Sequence, residues 1–389
     1  MPPTDQASTR DGSAPEHIVT RWARNLAAAG LALFLLLGLV TTARAILQHR
    51  IDVLPETVTW TSFMTGQTTS NISKALLWAP VPVEATRLQR AMSWEVLADL
   101  GPLVRKGCPG WLFIADELRV HPHGALDMTV RADVLARVRD YLGTRGTTLL
   151  VVTVPDKSRA QADQLCGLGR PSALEGRLQT WNDLLLARGI AHLDLQTTLH
   201  KTQQLTNQPM FLRTDTHWNE VAAKAAAQTT AATVLAQGVQ PVPAQGWQTQ
   251  QRVAEHGDLI RLAGLDHWQA RRPLQADVVQ SSIFQAVATG NKELSDEDLF
   301  GDAQAPNIAL IGTSFSNISN FGRFLEQSLQ ARIGRFAKDG GDFDGAAQAY
   351  FSSDAYRRNP PRLLIWEIPE RVLQLPGAHD QISVIFKEH

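Results

Sequence analysis

Two cysteines, Cys108 and Cys166, are all that this chain of 389 residues contains. Two are too few for a disulfide scaffold, and without CxxC spacing they match neither a zinc site nor a thioredoxin-like centre. An excess of positive charge is also lacking. Lys and Arg number 37 against 38 Asp and Glu, a net charge of -1. No broad basic face is available for phosphates, which excludes nucleic acid as the main partner. The sequence has no internal repeat, and no low-complexity tract beyond its first residues. With 44% hydrophobic and 19% charged residues, most of the chain cannot be disordered. Long apolar runs are scarce as well: there is one.

That run is Asn25 to Ala43, NLAAAGLALFLLLGLVTTA. It is uncharged and, at ~1.5 Å per helical residue, crosses most of a hydrocarbon core of about 30 Å. Residues 1–24 are polar and read as a cytoplasmic tail. Arg10, Arg21 and Arg24 orient the span with its N-terminus inside and the rest of the chain exported. Ala43-Arg44-Ala45 has the small-x-small shape of a cleavage site, so a removed signal peptide is the competing reading. The long N-terminal region and long apolar run fit an uncleaved signal anchor better. Export places the remainder in an oxidising space, where Cys108 and Cys166 are free to pair; their spacing alone does not decide it.

Residues 44–106 read as a spacer and entry segment, with a helix near Ala85–Leu100. Periodicity sharpens after Gly107. Gly110-Trp111-Leu112-Phe113-Ile114 predicts a strand after a turn, and 130–142 has helical apolar spacing. The run 147–154 (TTLLVVTV) is apolar on both faces, as a buried parallel strand would be. Further helices are expected over 174–188, 219–235 and 321–332, and strands over 190–195, 308–311 and 363–368. Residues 238–305 read as a loop-rich insertion. Strands alternating with helices predict an α/β fold, a parallel sheet with helices on both faces, spanning 107–389.

Ligands bind such sheets at the carboxyl ends of the strands. After Ile308–Ile311 comes Gly312-Thr313-Ser314-Phe315-Ser316. The glycine permits a tight turn, and the serine is carried out of the strand as a presented nucleophile would be. A helix-capping serine would give the same local pattern. The second feature is Thr214-Asp215-Thr216-His217-Trp218-Asn219, just before a helix. An acyl-transfer serine needs a base for its proton and a carboxylate to orient the imidazole. His217 and Asp215 could supply both from one loop, or be turn and cap residues.

Taken together, these turns resemble the AlgX/AlgJ-like group of SGNH-hydrolase-like polysaccharide O-acetyltransferases, whose type members acetylate alginate. Further segments, in order over roughly 107–372, carry the same likeness. They are Gly110-Trp111-Leu112-Phe113, Val154-Pro155-Asp156-Lys157-Ser158, His256-Gly257-Asp258-Leu259 and Trp366-Glu367-Ile368-Pro369-Glu370-Arg371. The resemblance implies an SGNH-like (flavodoxin-like) sheet with a circularly permuted motif order. It implies Ser314 as nucleophile, His217 as general base and Asp215 as orienting carboxylate. The usual GDS box is GTS here. It implies acetyl transfer, through an acetyl-serine, onto hydroxyls of an exported polysaccharide such as alginate or a cellulose-type glucan. A carbohydrate acetylesterase or a non-catalytic scaffold could share the fold. The implied partners are a membrane-bound O-acyltransferase that delivers acetyl groups, the polymer, and other exopolysaccharide synthesis and export proteins. The implied location is the bacterial inner membrane with the catalytic domain in the periplasm. No metal or other cofactor is implied.

Several side chains are secondary candidates. The backbone N–H of Ser314, with Asn317 or Asn320, could bind the oxyanion. Lys157 and Arg159 follow a strand end and could meet an anionic sugar, or be solvated loop charges. Trp218 could be a sugar platform or core packing. Glu367 and Arg371 could pair with each other. His121-x-His123 reads as a surface loop and not a metal site.

Overall fold

The computed structural model describes residues 21–53, 59–243, 246–266, 268, 274–286 and 305–377. Two compact units divide the chain between Gln89 and Arg90. The first holds helix α1 (Arg21–Leu47), which among the described residues is the one helix long and apolar enough to cross a membrane. Two short helices follow, α2 (Trp60–Met64) and α3 (Gln67–Leu76). Helix α4 (Pro80–Leu97) runs across the division, close to the expected helix but several residues earlier.

The second unit is built on a five-stranded sheet. Its strands are β3 (Thr148–Val154), β4 (Ala191–Asp194), β7 (Ile308–Gly312), β8 (Gly334–Ala337) and β9 (Leu363–Pro369), in the order β4-β3-β9-β7-β8. Every neighbouring pair is parallel. Counted from β7 as the first strand, β8, β9, β3 and β4 become the second to fifth, and the order across the sheet reads 2-1-3-4-5. That is the flavodoxin order. The chain enters this sheet at its fourth strand, so the strand that carries Ser314 comes late in the sequence though first in the topology. The point where the winding reverses lies between β7 and β9.

Alternation along each strand fills two cores. Leu149 and Val151 of β3, Ile311 of β7 and Leu364, Trp366 and Ile368 of β9 face one layer. Helices α5 (Gly124–Gly143), α7 (Arg177–Ala187) and α12 (Gly345–Phe351) cover it. Leu150 and Val152, Ile308 and Leu310, and Leu363 and Ile365 face the other. That side is covered by α8 (Gln196–Thr206), α9 (Glu220–Ala236) and α11 (Phe321–Leu329). The alanines of α9 at 222, 223, 226, 227 and 231 are all buried, which lets this helix lie close to its neighbours. Asn219 caps it, accepting from Ala222 N at 3.0 Å.

Two antiparallel pairs flank the sheet. Strands β1 (Val104–Lys106) and β2 (Leu112–Ile114) form a small hairpin whose turn carries Cys108. Cys108 is bonded to Cys166, closing a loop of 58 residues. Strands β5 (Trp247–His256) and β6 (Asp277–Ala286) pair over ten residues each. This corrects the loop-rich reading of 238–305: the segment carries a ribbon whose Gln, Ser and Arg content hides its strands from any hydrophobic pattern. The part of that insertion over 287–304 lies outside the described residues.

Candidate active site

Ser314 stands where β7 passes into a single helical turn, Ser314–Ser316. Gly312 is required just before it, because a Cβ there would lie 2.4 Å from both Glu367 Oε2 and Ser316 Oγ. Glu367 is the template for the turn. Its carboxylate, buried at the end of β9, accepts from Thr313 N at 2.7 Å, Thr313 Oγ1 at 3.1 Å and Ser316 Oγ at 3.0 Å. Burial pushes its pKa up against the pull of those donors. Glu367 therefore takes its hydrogen bonds from the serine turn, and Arg371 reaches it only through its charge. The Arg371 guanidinium instead lies over the Phe315 ring at 5.4 Å.

His217 and Asp215 come from a tight loop before α9. A bridge between Phe211 and Trp218 closes the loop, with Leu212 N donating to His217 O and Asn219 N to Met210 O, each at 3.0 Å. His217 Nε2 lies 2.7 Å from Ser314 Oγ, and Nδ1 lies 2.6 Å from Asp215 Oδ1. An ionised carboxylate only accepts, so the proton on the neutral ring sits on Nδ1 and leaves Nε2 free to accept from the serine hydroxyl. Asp215 Oδ1 also accepts from His217 N at 3.1 Å, and Oδ2 from Asp258 N at 3.0 Å. Burial would raise the Asp215 carboxyl, but His217 and these N–H donors outweigh it and hold the pKa at about 2.

The loop is fixed from three sides. Asp258, opening the short helix α10 (Asp258–Leu262), accepts from Thr216 N at 2.7 Å and from the Thr216 hydroxyl. Asp277 accepts from Thr214 N at 2.6 Å and Arg213 Nε at 3.0 Å. Lys157 donates all three ammonium protons to carbonyls: Leu112 at 2.6 Å, Arg213 at 2.9 Å and Asp215 at 2.9 Å. It is wholly buried, with Trp111 and Phe113 beneath it at 5.3 and 5.1 Å, and desolvation lowers its pKa to about 8. The Gly110–Phe113 segment thus forms part of the frame behind the site.

Phe315 couples the two halves. Its ring meets His217 edge-on at 4.9 Å, Trp218 at 5.3 Å and Phe211 at 6.4 Å. Since Phe315 adjoins Ser314, this aromatic packing helps fix the Ser314 hydroxyl against the His217 imidazole. Ser314, His217 and Arg371 open onto a cleft of about 750 Å³, whose wall also includes Arg261, Trp268 and Asp339.

Several expected site residues stand elsewhere. Lys157 and Arg159 are not among the residues lining the cleft. Lys157 is spent on carbonyls, and Arg159 joins a buried cluster in which Arg159, Arg170 and Arg177 surround Asp156 and Glu370. Trp218 is no platform, since it is fully buried against Phe315 and Phe321. Asn320 is not among the residues lining the cleft and is engaged elsewhere, donating to Glu220 Oε1 at 2.5 Å and Ser282 O at 2.7 Å. Asn317 is exposed and is not among the residues lining the cleft. Of the amides over 313–317, those of Thr313, Phe315, Ser316 and Asn317 are bonded within the turn or to Glu367; that of Ser314 is not so engaged.

The sequence does not mark Asp258, Phe315 or Trp268 as site residues. Asp258 lies in the 256–259 turn, but its partner Thr216 is 42 residues away. Among the described residues, Asp215, His217 and Asp258 are the one His and carboxylate cluster close enough to ligate an ion, within 4.8 Å. Three of its carboxylate oxygens already accept backbone N–H groups, which suits a hydrogen-bonded relay better than a metal cage. His121 and His123 are not part of that cluster; His123 precedes α5 as its cap residue.

A parallel sheet in permuted flavodoxin order, with a serine at the end of its first topological strand and Asp-x-His beside it, defines an SGNH-hydrolase-like protein. The chain belongs to the family described as SGNH hydrolase-like domain, acetyltransferase AlgX, whose model matches residues 104–370, and it is an acetyltransferase of that family. It is 32% identical over 316 residues to the probable alginate O-acetylase AlgJ of Pseudomonas aeruginosa, covering 78% of this chain and 79% of that protein. It is 30% identical over 241 residues to the alginate biosynthesis protein AlgX of the same organism, covering 60% of this chain and 49% of that one. The solved O-acetyltransferase domain of Pseudomonas putida AlgJ superposes with a TM-score of 0.63 at 25% identity, covering 74% of this chain and all of that domain. Pseudomonas aeruginosa AlgX superposes with a TM-score of 0.52 at 25% identity, covering 68% of this chain and 62% of that one.

Proposed function

We propose that the protein transfers acetyl groups to hydroxyls of an exported polysaccharide through an acetyl-serine. The observation that carries this reading is the unbroken line from Ser314 Oγ to His217 Nε2 to Asp215 Oδ1, 2.7 and 2.6 Å, opening onto the cleft. In the first half-reaction Ser314 Oγ attacks the acetyl carbonyl while His217 Nε2 takes its proton. Asp215 stabilises the imidazolium, which then protonates the departing donor group. In the second, a sugar hydroxyl gives its proton to Nε2 and attacks the acetyl carbonyl, and Ser314 leaves with that proton restored. The unengaged N–H of Ser314 is the first oxyanion donor in this reading. Losing one such donor costs about 3 kcal/mol of transition-state stabilisation.

Names of the relatives point to alginate for those proteins; for this chain, alginate, a cellulose-type glucan and other exopolysaccharides are the acceptors to compare. Helix α1 serves as an inner-membrane anchor, with Arg10, Arg21 and Arg24 cytoplasmic and the catalytic unit periplasmic. A membrane-bound O-acyltransferase supplies the acetyl group across the membrane, alongside other polysaccharide synthesis and export proteins. The test is product analysis with full-length protein, an activated acetyl ester and each oligosaccharide in turn. Acetylated sugar is expected. Release of acetate alone, unaffected by sugar, would mark an esterase instead.

A further inference from the structure

Helix α2 is too short to hold itself, and a capping box supports it: Ser62 N donates to Thr59 Oγ1 and Thr59 N to Ser62 Oγ, each at 3.1 Å. Gly66, with φ of +75°, turns the chain into α3, and Ser62 Oγ meets the buried Thr68 Oγ1 at 2.9 Å. The turn between the two helices is thus fixed by polar contacts. Its apolar side chains stay outside. Trp60, Phe63 and Met64 share one helical face at i, i+3 and i+4, with Trp60 77% exposed. Leu77 and Trp78 follow α3 and are 67% and 76% exposed.

One small cluster says where this surface lies. Ala45, in the last turn of α1, is buried together with Ile51 and Ala79, and Ala75 and Val53 pack against them. The end of α3 is therefore seated at the end of the apolar helix. On the reading of α1 as a membrane anchor, that is the level at which the chain leaves the hydrocarbon. Exposed Trp and Phe at that depth are the side chains that favour the boundary between acyl chains and headgroups. Between Arg44 and Ala79 the sequence carries Arg44, Arg50 and Lys74 against Asp52 and Glu56, a small positive balance compatible with anionic headgroups.

We infer that residues 59–79 form an interfacial foot. Trp60, Phe63, Met64, Leu77 and Trp78 are immersed in the lipid boundary of the leaflet into which α1 emerges. The foot shortens the tether, because the chain is held at the lipid surface as far as Ala79 and not only to the end of α1.

Full-length protein in nanodiscs of phosphatidylethanolamine and phosphatidylglycerol tests this, with bromine-labelled acyl chains quenching tryptophan fluorescence. Subtracting a Trp60→Phe/Trp78→Phe variant isolates the foot, and subtracting Trp22→Phe isolates the start of α1. The foot component is expected to be quenched severalfold more by bromine near the glycerol end than near the methyl end, and to be shielded from aqueous iodide. A foot component quenched by iodide and indifferent to bromine, while Trp22 remains bromine-quenched, would overturn the inference and leave the anchor intact. So would shielding that arises only when another membrane protein is reconstituted alongside. If Trp22 also escapes bromine, the anchor reading fails and takes the foot with it.

Discussion

At the residue scale, the site depends on buried carboxylates that each hold several donors. Asp215 fixes the imidazole tautomer, so Asp215→Asn is predicted to keep the fold. Its turnover should fall by about 10³–10⁴, because the amide permits the wrong ring proton. Steady-state kinetics beside circular dichroism checks both halves. Asp215 also carries an acid signature. Its folded pKa, about 2, lies below the ordinary 3.8, so the unfolded state binds the proton more readily. The stabilisation, roughly 2 kcal/mol, is complete above about pH 4 and is lost as pH falls through the folded value. Wild type should therefore lose more stability than Asp215→Asn between pH 5 and 2, measured by denaturant melts; equal losses would contradict the assignment. Glu367 gives a sharper contrast. Glu367→Leu leaves Thr313 N–H buried without an acceptor and should cost about 1–3 kcal/mol. Glu367→Gln keeps one acceptor and should lose less, in both melting temperature and turnover.

Elements explain why those residues meet. The Asp-x-His loop and the serine turn are 97 residues apart between His217 and Ser314, and Phe315 is the packing link between them. Phe315→Ala is predicted to destabilise by about 3–5 kcal/mol, a large-to-small loss in a full core. At temperatures where the variant remains folded, turnover should fall with little change in KM, since His217 and Ser314 are no longer held in register. The β1–β2 hairpin is a second link, tied by Cys108–Cys166 and by Lys157. Closing a loop of 58 residues restricts the unfolded chain by about 4 kcal/mol. Cys108→Ser/Cys166→Ser should lose about that much in denaturant melts. A non-reduced protein and its reduced form that melt alike would contradict it.

Over the whole molecule, what could be read from the sequence followed what is local. The buried strands 148–154, 308–312 and 363–369 announce themselves because both faces are apolar, and the serine turn follows directly from one of them. Strand β8, GRFA, is short and only partly buried, and it carries no such signal. Lys157 reads as a sugar contact or a solvated charge because nothing local reveals the three carbonyls that bury it, two of them from a loop more than 50 residues on. Trp218 reads equally as a platform or as core, and the rings of Phe315 and Phe321 that enclose it decide for core. The permuted sheet order accounts for the chain order Asp, His, Ser: β7 is first in the topology but sits behind β3 and β4 in sequence.

In the proposed mechanism Ser314 carries the acetyl group between donor and acceptor. Intact-mass spectrometry of full-length protein exposed to a small activated acetyl ester tests it most directly. One acetyl adduct is expected, mapped to Ser314, absent from Ser314→Ala and His217→Ala, and discharged when an acceptor oligosaccharide is added. An adduct that persists in Ser314→Ala, or well-folded wild type that neither labels nor consumes the ester, would contradict it.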